Sequence, residues 1–387
     1  MKVGIVWENG VSKWMSQMFE PLAGFPGIDI DLFVGDRNKF DTSEVTLRKR
    51  PLTHREEAVL GVKSFLSSFG RLERGPYRRM DFYFHSLEKY INGYDIIECY
   101  DSSRSLYTAS KLKGRKGYKL VVSYLENVPY RQVFDPKTNY IKHYAKEHID
   151  HYIPWCDTIR NVLLLEGIPE EKITTVYTGI DMKLFRPEPK DEGLLREYKV
   201  PPGNFTVLYI GKLASWKGVH SIVYAAADLK RRGYRDFTVL ITGRGAQLEN
   251  LRKIIAEAGL EEHFRFTGFL PYGSIRRLHN LADVFVLPSL PTMTWQEQLG
   301  MVLVEAMACS KPVVAAASGS IPEVVADAGL LFTPGNCFEL SERISRLMDD
   351  RSLLKALGTK ARERALTYFD AGKNAEKIYE VYRKVLG

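Results

Sequence analysis

Two glutamates and a glycine in one apolar stretch have the residue types and spacing of a ligand-binding site. Glu305 lies in an otherwise apolar helix start, and burying a lone carboxylate is costly unless a partner such as a ribose diol binds its two oxygens. Glu297 lies just before Gly300, where the helix should open. The N–H groups of Met301 and Val302 at that helix start would favour phosphate. A sugar diphosphate would find carboxylates for its hydroxyls and amides for its charge. The alternative is a pair of glutamates on a solvated surface.

Two lysines follow a predicted strand and precede a predicted helix in the segment 209–218. Gly211 permits close backbone approach, and Lys212 and Lys217 could bind a diphosphate and offset the charge that grows on a leaving group. Lysines at a helix N-terminus are unfavourable partners of the helix dipole unless an anion is present. The segment therefore predicts a phosphate-binding turn, and the alternative is a pair of surface lysines beside a tight turn.

The elements that must position these residues alternate between short apolar runs of strand type and longer helical patterns. This alternation favours α/β domains built on parallel sheets. In the first half of the chain, strands are predicted at residues 3–6, 30–34, 95–98 and 120–124. In the second half they are predicted at residues 206–210, 238–242, 265–267, 284–287, 313–315 and 330–332. Residues 178–189 contain a glycine and two prolines that break any regular element, so they are the best linker candidate.

Length and composition indicate two domains in a reducing compartment. A chain of 387 residues with 45% hydrophobic content can bury two separate cores. The four cysteines are far apart and lack the spacing of a zinc site, which is typical of free thiols. The first residues are too short an apolar run for a signal peptide, and no later run approaches 18 apolar residues, so we predict a cytoplasmic protein without a membrane span.

The ordered set of motifs closely resembles the retaining enzymes of glycosyltransferase family 4. The matching residues, between about 157 and 335, are Gly179-Ile180-Asp181, Phe185, Pro187, Gly211, Lys217-Gly218, Pro288-Ser289, Glu297, Gly300, Glu305-Ala306-Met307-Ala308, Pro312-Val313-Val314, Gly319 and Pro322-Glu323-Val324. Each motif is weak alone, but the ordered set is specific. Residues 1–150 match only in outline, as expected where acceptors differ.

The resemblance implies an α/β architecture of the GT-B type, with two facing Rossmann-like doubly wound domains and a deep interdomain cleft. We expect an N-terminal acceptor-side domain at residues 1–180 and a nucleotide-sugar-binding domain at residues 186–368. The final helix, within residues 369–387, carries an apolar stripe that needs a partner surface, so we expect it to cross back onto the first domain. Ligands in such sheets bind at the carboxyl ends of the strands.

The resemblance also implies a role for each candidate residue. Glu305 would hold the donor ribose, Glu297 would hold sugar hydroxyls, and Lys217 with Lys212 would hold the diphosphate. Relatives usually have arginine at the position of Lys212, so a bidentate fork is exchanged here for a point charge. The lysines take the place of a divalent cation, so no metal is expected.

The first domain departs from the family where relatives often have a histidine after the strand at 120–124. This chain continues with Leu125-Glu126-Asn127. Glu126 and Asp101 are therefore candidates for the acceptor or sugar side. The turn after the first strand should place Gly10 amides near the phosphates.

Two motifs imitate other sites. Gly243-Arg244-Gly245 follows a strand, but Leu248 stands where a dinucleotide fingerprint has its third glycine, so no nicotinamide cofactor is expected. Asp29 and Asp31 imitate a metal-binding Asp-x-Asp, yet they alternate with apolar residues and are better interpreted as solvated carboxylates on an edge strand. No zinc-hydrolase or serine-hydrolase motif is present in the sequence.

The net charge of +8 comes from one part of the chain, because residues 48–119 contain 16 Lys and Arg against 8 Asp and Glu. Within it, residues 55–79 combine a predicted amphipathic helix with Arg71, Arg74, Arg78 and Arg79. Such a segment could rest on an anionic membrane, at the inner face, and present a lipid-linked acceptor. The alternative is a helix packed on its own sheet with its charges in water. No nucleic-acid partner is expected.

The sequence therefore predicts a metal-independent retaining glycosyltransferase. It would move a hexosyl group from a UDP- or GDP-linked sugar to a hydroxyl acceptor, which could be a glycan, a lipid-linked molecule or a small molecule. A sugar phosphorylase of the same fold and a non-catalytic nucleotide-sugar-binding protein are the alternatives. The nucleobase, the sugar, the acceptor and the oligomeric state are left open.

Overall fold

Two six-stranded sheets organise the structure, and every pair of neighbouring strands in them runs parallel. The structure is a computed structural model that describes residues 1–8, 10–53, 84–101 and 103–387. One unit comprises Met1–Tyr177 with Ala371–Gly387, and the other comprises Thr178–Asp370. Each unit contains one of the two sheets.

The sheet of the first unit has the strand order β3-β2-β1-β4-β5-β6. Its strands are β1 (Lys2–Val6), β2 (Asp29–Gly35), β3 (Arg48–Leu52), β4 (Ile96–Tyr100), β5 (Lys119–Tyr124) and β6 (His151–Pro154). The helices among the described residues up to Tyr177 are α1 (Lys13–Ser16), α2 (His85–Tyr90), α3 (Arg104–Lys116), α4 (Pro136–Lys146) and α5 (Asp157–Leu165). Local signals set these boundaries: the Ser103 hydroxyl accepts from the amide of Leu106 where α3 begins, and Gly117 ends α3 with a φ of 78°.

The sheet of the second unit has the order β12-β11-β10-β7-β8-β9. Its strands are β7 (Phe205–Ile210), β8 (Phe237–Thr242), β9 (Phe264–Gly268), β10 (Val284–Leu287), β11 (Val313–Ala316) and β12 (Gly329–Phe332). The helices are α6 (Glu192–Glu197), α7 (His220–Arg231), α8 (Leu248–Glu257), α9 (Tyr272–Leu281), α10 (Met301–Ala308), α11 (Ile321–Val325), α12 (Cys337–Asp349) and α13 (Arg351–Tyr368). The central strands β7 and β8 are buried along their whole length, which explains their continuous apolar sequences.

In each sheet the order in which the chain adds strands reverses at one point, which lies between β1 and β4 in the first unit and between β7 and β10 in the second. The connections from these two adjacent strands run to opposite faces of the sheet, and ligands in doubly wound sheets bind at this point, outside the carboxyl ends of the strands. The doubly wound α/β architecture predicted from the sequence is therefore confirmed. It also identifies the loops after β1, β4, β7 and β10 as the positions for ligand-binding residues.

Every strand predicted from the sequence is present, but β3 and β6 were not predicted. β3 has the sequence Arg-Lys-Arg-Pro-Leu, in which the first four residues are exposed. It is an edge strand, where charged side chains and a proline are tolerated because one side of the backbone needs no partner. β6 is only four residues long and is fully buried.

The interpretation of Asp29 and Asp31 as solvated edge carboxylates is wrong for Asp31. Since β3 pairs outside β2, Asp31 is fully buried. Its carboxylate accepts from the Arg48 guanidinium and from the Tyr94 hydroxyl at 2.6 Å, and it pairs with Arg50 at 3.2 Å. Burial alone would raise the pKa of Asp31, but these donors outweigh it and hold the pKa below its ordinary value. The carboxylate is therefore a structural partner of β3.

The last helix, α14 (Ala371–Leu386), packs within the first unit. Its apolar stripe includes the buried side chains of Ile378, Val381 and Tyr382. The Tyr382 hydroxyl donates to the carboxyl group of Glu98 on β4, 284 residues earlier in the chain. The helix thus finds the partner surface that its stripe requires.

Glu98 is at the centre of a buried polar network in the first unit. The Ser123 hydroxyl donates to its Oε1 at 2.5 Å, and the Trp155 indole N–H donates to the same hydroxyl at 3.2 Å. Burial raises the pKa of Glu98 to about 7, although the hydrogen bonds from Ser123 and Tyr382 favour the carboxylate. A carboxyl group without a cation is therefore kept inside the core by hydroxyl donors.

The sequence led us to expect no membrane span and a possible membrane contact through residues 55–79. Within the described ranges, no helix combines the length and apolar character that crossing a bilayer requires. The basic segment at residues 55–79 lies outside the described residues, as does Asn9 in the turn after β1.

Replacing Glu98 with glutamine should change how stability depends on pH. The folded chain holds the proton of Glu98 up to a pKa of about 7, against an ordinary value of 4.5, so the free energy of unfolding of the wild type should fall as pH rises between these values. The expected fall is roughly 3 kcal/mol. A neutral amide has no such titration, so the stability of Glu98→Gln relative to wild type should rise by this amount, as measured by urea unfolding between pH 4.5 and 8.

Tyr382→Phe is the matched control because it removes one donor and keeps the carboxyl group. The ionised form of Glu98 depends more on that donor, so the destabilisation by Tyr382→Phe should grow with pH. Parallel pH profiles for wild type and Glu98→Gln would show that Glu98 does not titrate in this range.

Candidate functional site

The loop that leaves β7 is pressed against the loop that leaves β10. Gly218 has a φ of 63°, and a Cβ at this position would lie 2.0 Å from the carbonyl oxygen of Pro288. Nearby, the amide of Leu290 donates to the carbonyl of Trp216 at 2.8 Å. Only glycine allows this approach, which explains why Lys217 is followed by glycine. The two loops at the switch point of the second sheet are therefore held in backbone contact.

This contact brings Lys217 to Glu297. The Lys217 ammonium lies 2.6 Å from Glu297 Oε2, and the Ser289 hydroxyl donates to the same oxygen at 2.6 Å. Glu297 is buried, with only 7% of its surface exposed. The ammonium also lies 4.8 Å from the centre of the Trp295 ring. Lys217 and Glu297, which the family resemblance assigns to the diphosphate and to the sugar hydroxyls, thus lie in one cluster. They already pair with each other.

Lys212 lies in the same loop but is exposed. Its ammonium rests over the Trp216 ring at 5.2 Å, and the Trp216 and Trp295 rings contact each other edge to face at 6.3 Å. Each lysine is therefore seated on one tryptophan of a pair. The sequence predicted both lysines at a helix N-terminus, but α7 begins only at His220, and Lys217 instead ends a short 3-10 turn, Ser215–Lys217.

The N-terminus of α10 adds backbone donors to the same loop region. The helix begins at Met301, directly after Gly300, which has a φ of 65°. The amide of Leu303 already donates to the Gly300 carbonyl at 2.7 Å. The amides of Met301 and Val302 have no acceptor inside the helix, so their partial positive charge is available to an anion.

Glu305 is buried on α10 and has internal partners that the sequence did not reveal. The Tyr272 hydroxyl donates to Oε1 at 2.8 Å, and His279 Nε2 lies 3.5 Å from Oε2. The pairing that a buried carboxylate requires is therefore provided in part by Tyr272 and His279. Each oxygen can accept a further hydrogen bond, so a ribose diol remains a possible additional partner.

His279 is fully buried behind Glu305. Burial lowers the pKa of His279, and the neighbouring Glu305 opposes that shift. Nδ1 of this ring has no hydrogen-bond partner among the described residues. A neutral imidazole with the proton on Nε2 fits this environment, because Nε2 can then donate to Glu305.

Sequence reasoning missed the supporting residues Ser289, Tyr272 and His279. Ser289 matched a family motif without a role, and nothing in the sequence paired it with Glu297. Tyr272 and His279 are seven residues apart, two turns of one helix, and this spacing places them on the same face of α9. That spacing was the available signal, but it becomes informative only once α9 is known to face Glu305.

The remaining candidates lie in the first unit, at the carboxyl ends of its strands. Gly10 is exposed in the turn after β1, and Asp101 directly follows β4. Glu126 is buried after β5 and accepts from Arg131 at 2.7 Å and from the Val128 amide at 3.1 Å. Glu126 is thus committed to its own loop.

Asp101 differs from Glu126 in its environment. Burial raises the pKa of Asp101 to about 6, while the positive charge of Lys142 opposes the shift.

Across the part of the chain that the structure describes, no three histidine, cysteine, aspartate or glutamate side chains come together as a metal site would need.

The chain is similar to proteins of known activity over part of its length. Residues 192–364 match the family described as Glycosyl transferases group 1. The 2-deoxystreptamine glucosyltransferase of Streptomyces kanamyceticus is 32% identical over 225 residues, which are 57% of this chain and 57% of that protein. A GDP-mannose-dependent alpha-(1-6)-phosphatidylinositol monomannoside mannosyltransferase of Mycobacterium tuberculosis is 31% identical over 199 residues, 50% of this chain and 51% of that protein. The chain thus spans little more than half the length of these relatives.

Solved structures resemble the chain over almost its whole length. HepE of Anabaena in complex with UDP gives a TM-score of 0.78 at 21% identity, covering 99% of this chain and 100% of that one. Sucrose-phosphate synthase of Thermosynechococcus elongatus gives a TM-score of 0.72 at 21% identity, covering 99% and 98%. These likenesses confirm the fold. The narrower assignment to glycosyltransferase family 4 stays a prediction. The chain has the GT-B fold, and its residues 192–364 match the family described as Glycosyl transferases group 1.

Proposed function

We propose that this chain is a retaining, metal-independent glycosyltransferase that moves a hexosyl group from a nucleoside-diphosphate sugar to a hydroxyl acceptor. The observation that carries the proposal is the cluster at the switch point of the second sheet. There the Lys217 ammonium lies 2.6 Å from the carboxylate of the buried Glu297, and α10 begins at Met301, four residues after Glu297. Cations, helix amides and a carboxylate side by side suit a ligand that joins a diphosphate to a sugar.

The donor would bind along α10 and the loop after β7. The diphosphate would be bound by Lys217, Lys212 and Gly211. The backbone amides of Gly300, Met301 and Val302 at the start of α10 would also contact it. Glu305, buried farther along α10, would accept the ribose hydroxyls, with Tyr272 and His279 fixing its position. Glu297 would accept hydroxyls of the sugar. Gly10 in the first unit would contribute amides near the phosphates.

The transfer step depends on charge that develops on the leaving diphosphate. As the bond from the anomeric carbon to the diphosphate breaks, the lysines and the α10 amides stabilise the growing negative charge. The acceptor oxygen forms its bond from the face that the diphosphate leaves, and the proton of the acceptor passes to the diphosphate. The anomeric configuration is then retained without a nucleophilic carboxylate.

The relatives support a UDP- or GDP-linked donor. One named relative is a glucosyltransferase, another is GDP-mannose-dependent, and the HepE structure contains UDP. The acceptor would be held in the first unit, where Asp101 and Glu126 are the candidate contacts. A cytoplasmic location and a peripheral membrane contact through residues 55–79 complete the proposal, and the latter segment lies outside the described residues.

Nucleotide sugars should stabilise the protein and be turned over without metal. A donor present at about 100 times its dissociation constant should add roughly 2.7 kcal/mol to stability, so a thermal screen of UDP- and GDP-sugars identifies it. Transfer should persist in excess chelator, and NMR should show the donor's own anomeric configuration in the first-formed product. Activity that chelator abolishes and manganese restores, or an inverted product, would contradict the mechanism. Stabilisation without any transfer or hydrolysis would indicate a non-catalytic binding protein.

Substitutions of the two glutamates should separate nucleotide binding from turnover. Glu305→Gln keeps the shape but removes a charged acceptor, so UDP or GDP should bind about tenfold or more weakly, since hydrogen bonds to charged groups contribute about 1.5–3 kcal/mol. Glu297→Gln should leave the affinity for the nucleoside diphosphate nearly unchanged and reduce turnover of the intact donor. Calorimetry with both ligands tests this division. Equal losses for nucleotide and donor in both variants would refute it.

Removing the charge of Lys217 should slow the chemical step. Lys217→Ala takes away a cation beside the leaving group, and loss of one such stabilising contact lowers kcat by roughly 100-fold to 1,000-fold. Lys217→Arg should retain part of the rate because it retains the charge. Lys253→Ala, an exposed lysine on α8 of the same unit, is the control for net charge and should match wild type. A Lys217→Ala enzyme with unchanged kcat would remove Lys217 from the mechanism.

A further inference from the structure

A cavity of about 150 Å³ is lined by residues of the first unit. It is lined by residues of β5, β6, α3, α4 and α5. Its inner wall is apolar and includes the buried side chains of Val122, Ile149 and Leu163. An apolar cavity of about 150 Å³ in another protein admits one benzene ring.

One side of the cavity carries a chain of polar groups. Lys142 donates to the Tyr124 hydroxyl at 2.6 Å, and that hydroxyl donates to Glu166 at 3.1 Å. Lys142 has three N–H donors, of which one goes to Tyr124 and another to Gln132 at 3.3 Å. Among the described residues the third has no acceptor, so it can donate to a ligand.

Two further polar groups lie on the lining: the carboxylate of Asp101 and the hydroxyl of Tyr152. Asp101 directly follows β4, and Tyr124 ends β5, so this polar side lies at the carboxyl edge of the sheet. Ligand groups are expected at that edge in doubly wound sheets. The rim includes Tyr130, which is 52% exposed.

The formal charges of the lining favour a neutral ligand. The carboxylates of Asp101 and Glu166 are balanced by the ammonium groups of Lys142 and Lys146, so the lining gives no net attraction for an anion or a cation. A hydroxyl group fits both signs, because it can donate to Asp101 and accept from Lys142 at the same time. The apolar inner wall leaves little opportunity to satisfy additional hydroxyls, which disfavours a ring that is polar on all sides.

We propose that this cavity binds one six-membered ring, apolar on its inner side, that carries a hydroxyl group directed at Asp101 and Lys142. On the proposed function, on which this one step rests, the ring is the acceptor of the transfer reaction. Its hydroxyl oxygen then forms the bond to the anomeric carbon while the bond from that carbon to the diphosphate breaks, and the hydroxyl proton leaves with the diphosphate.

Binding of phenol and cyclohexanol to the full chain without nucleotide tests the site, with titration calorimetry and saturation-transfer NMR as readouts. Both should bind saturably, benzene should bind more weakly, and benzoate and benzylamine should not bind. Asp101→Asn should weaken phenol about fivefold to tenfold, since a charge-assisted hydrogen bond becomes a neutral one, and should leave benzene unchanged. Failure of phenol and cyclohexanol to bind wild type would overturn the proposal. Equal effects of Asp101→Asn on phenol and benzene would overturn the orientation of the ring.

Ala145→Leu is the matched variant for the cavity itself, because Ala145 is a fully buried part of the lining and lies on α4. It should abolish binding of phenol and benzene while UDP or GDP still binds the second unit. Unchanged phenol binding in this variant would place phenol elsewhere and overturn the proposal. Transfer to phenol in the presence of a donor supports the acceptor role. Donor turnover without such transfer overturns that role alone, and loss of donor binding by wild type overturns the proposed function without affecting the phenol site.

Discussion

The ion pair between Lys217 and Glu297 joins the loop after β7 to the loop after β10 at the switch point of the second sheet. It forms because Gly218 lets one loop approach the Pro288 carbonyl and because Ser289 provides a second donor to the same carboxylate oxygen. A buried carboxylate without these partners would be unfavourable, so the pair keeps the site charged yet stable. On the proposed function, the pair would also couple the binding of the diphosphate to the binding of the sugar. An anion that attracts Lys217 leaves Glu297 in need of donors, and hydroxyls on the same molecule can supply them.

Most of the framework could be predicted from the sequence, since it depends on local patterns. Continuous apolar runs such as β7 and β8 mark central parallel strands, and Gly300 marks the start of α10. β3 escaped prediction because its exposed basic residues do not resemble a strand until the neighbouring strand is known. The error at Asp31 follows from the same omission. Without β3 and its arginines, β2 is an edge strand and its carboxylates face water.

The side-chain types of the candidate site were also available from the sequence, whereas their partners were not. Glu305 stood out as a carboxylate in an apolar helix, but Tyr272 and His279 come from α9, and only the packing of α9 on α10 brings them near. The network of Glu98 is a stronger case, because Ser123, Trp155 and Tyr382 come from three separate parts of the chain. Contacts of such long sequence separation leave no periodic pattern to detect.

The return of α14 to the first unit makes that unit discontinuous in sequence, and this sets an order of events during synthesis. Thr178–Asp370 emerges from the ribosome whole, so the second unit can complete its core before the first unit does. Tyr382 follows Glu98 by 284 residues, an interval of roughly 15 to 60 s at ordinary elongation rates. Throughout that interval the face of the first unit that α14 packs against lacks its cover, and Glu98 lacks its Tyr382 donor. Chaperones that bind apolar surface can therefore bind this face until α14 has been translated and packs on it.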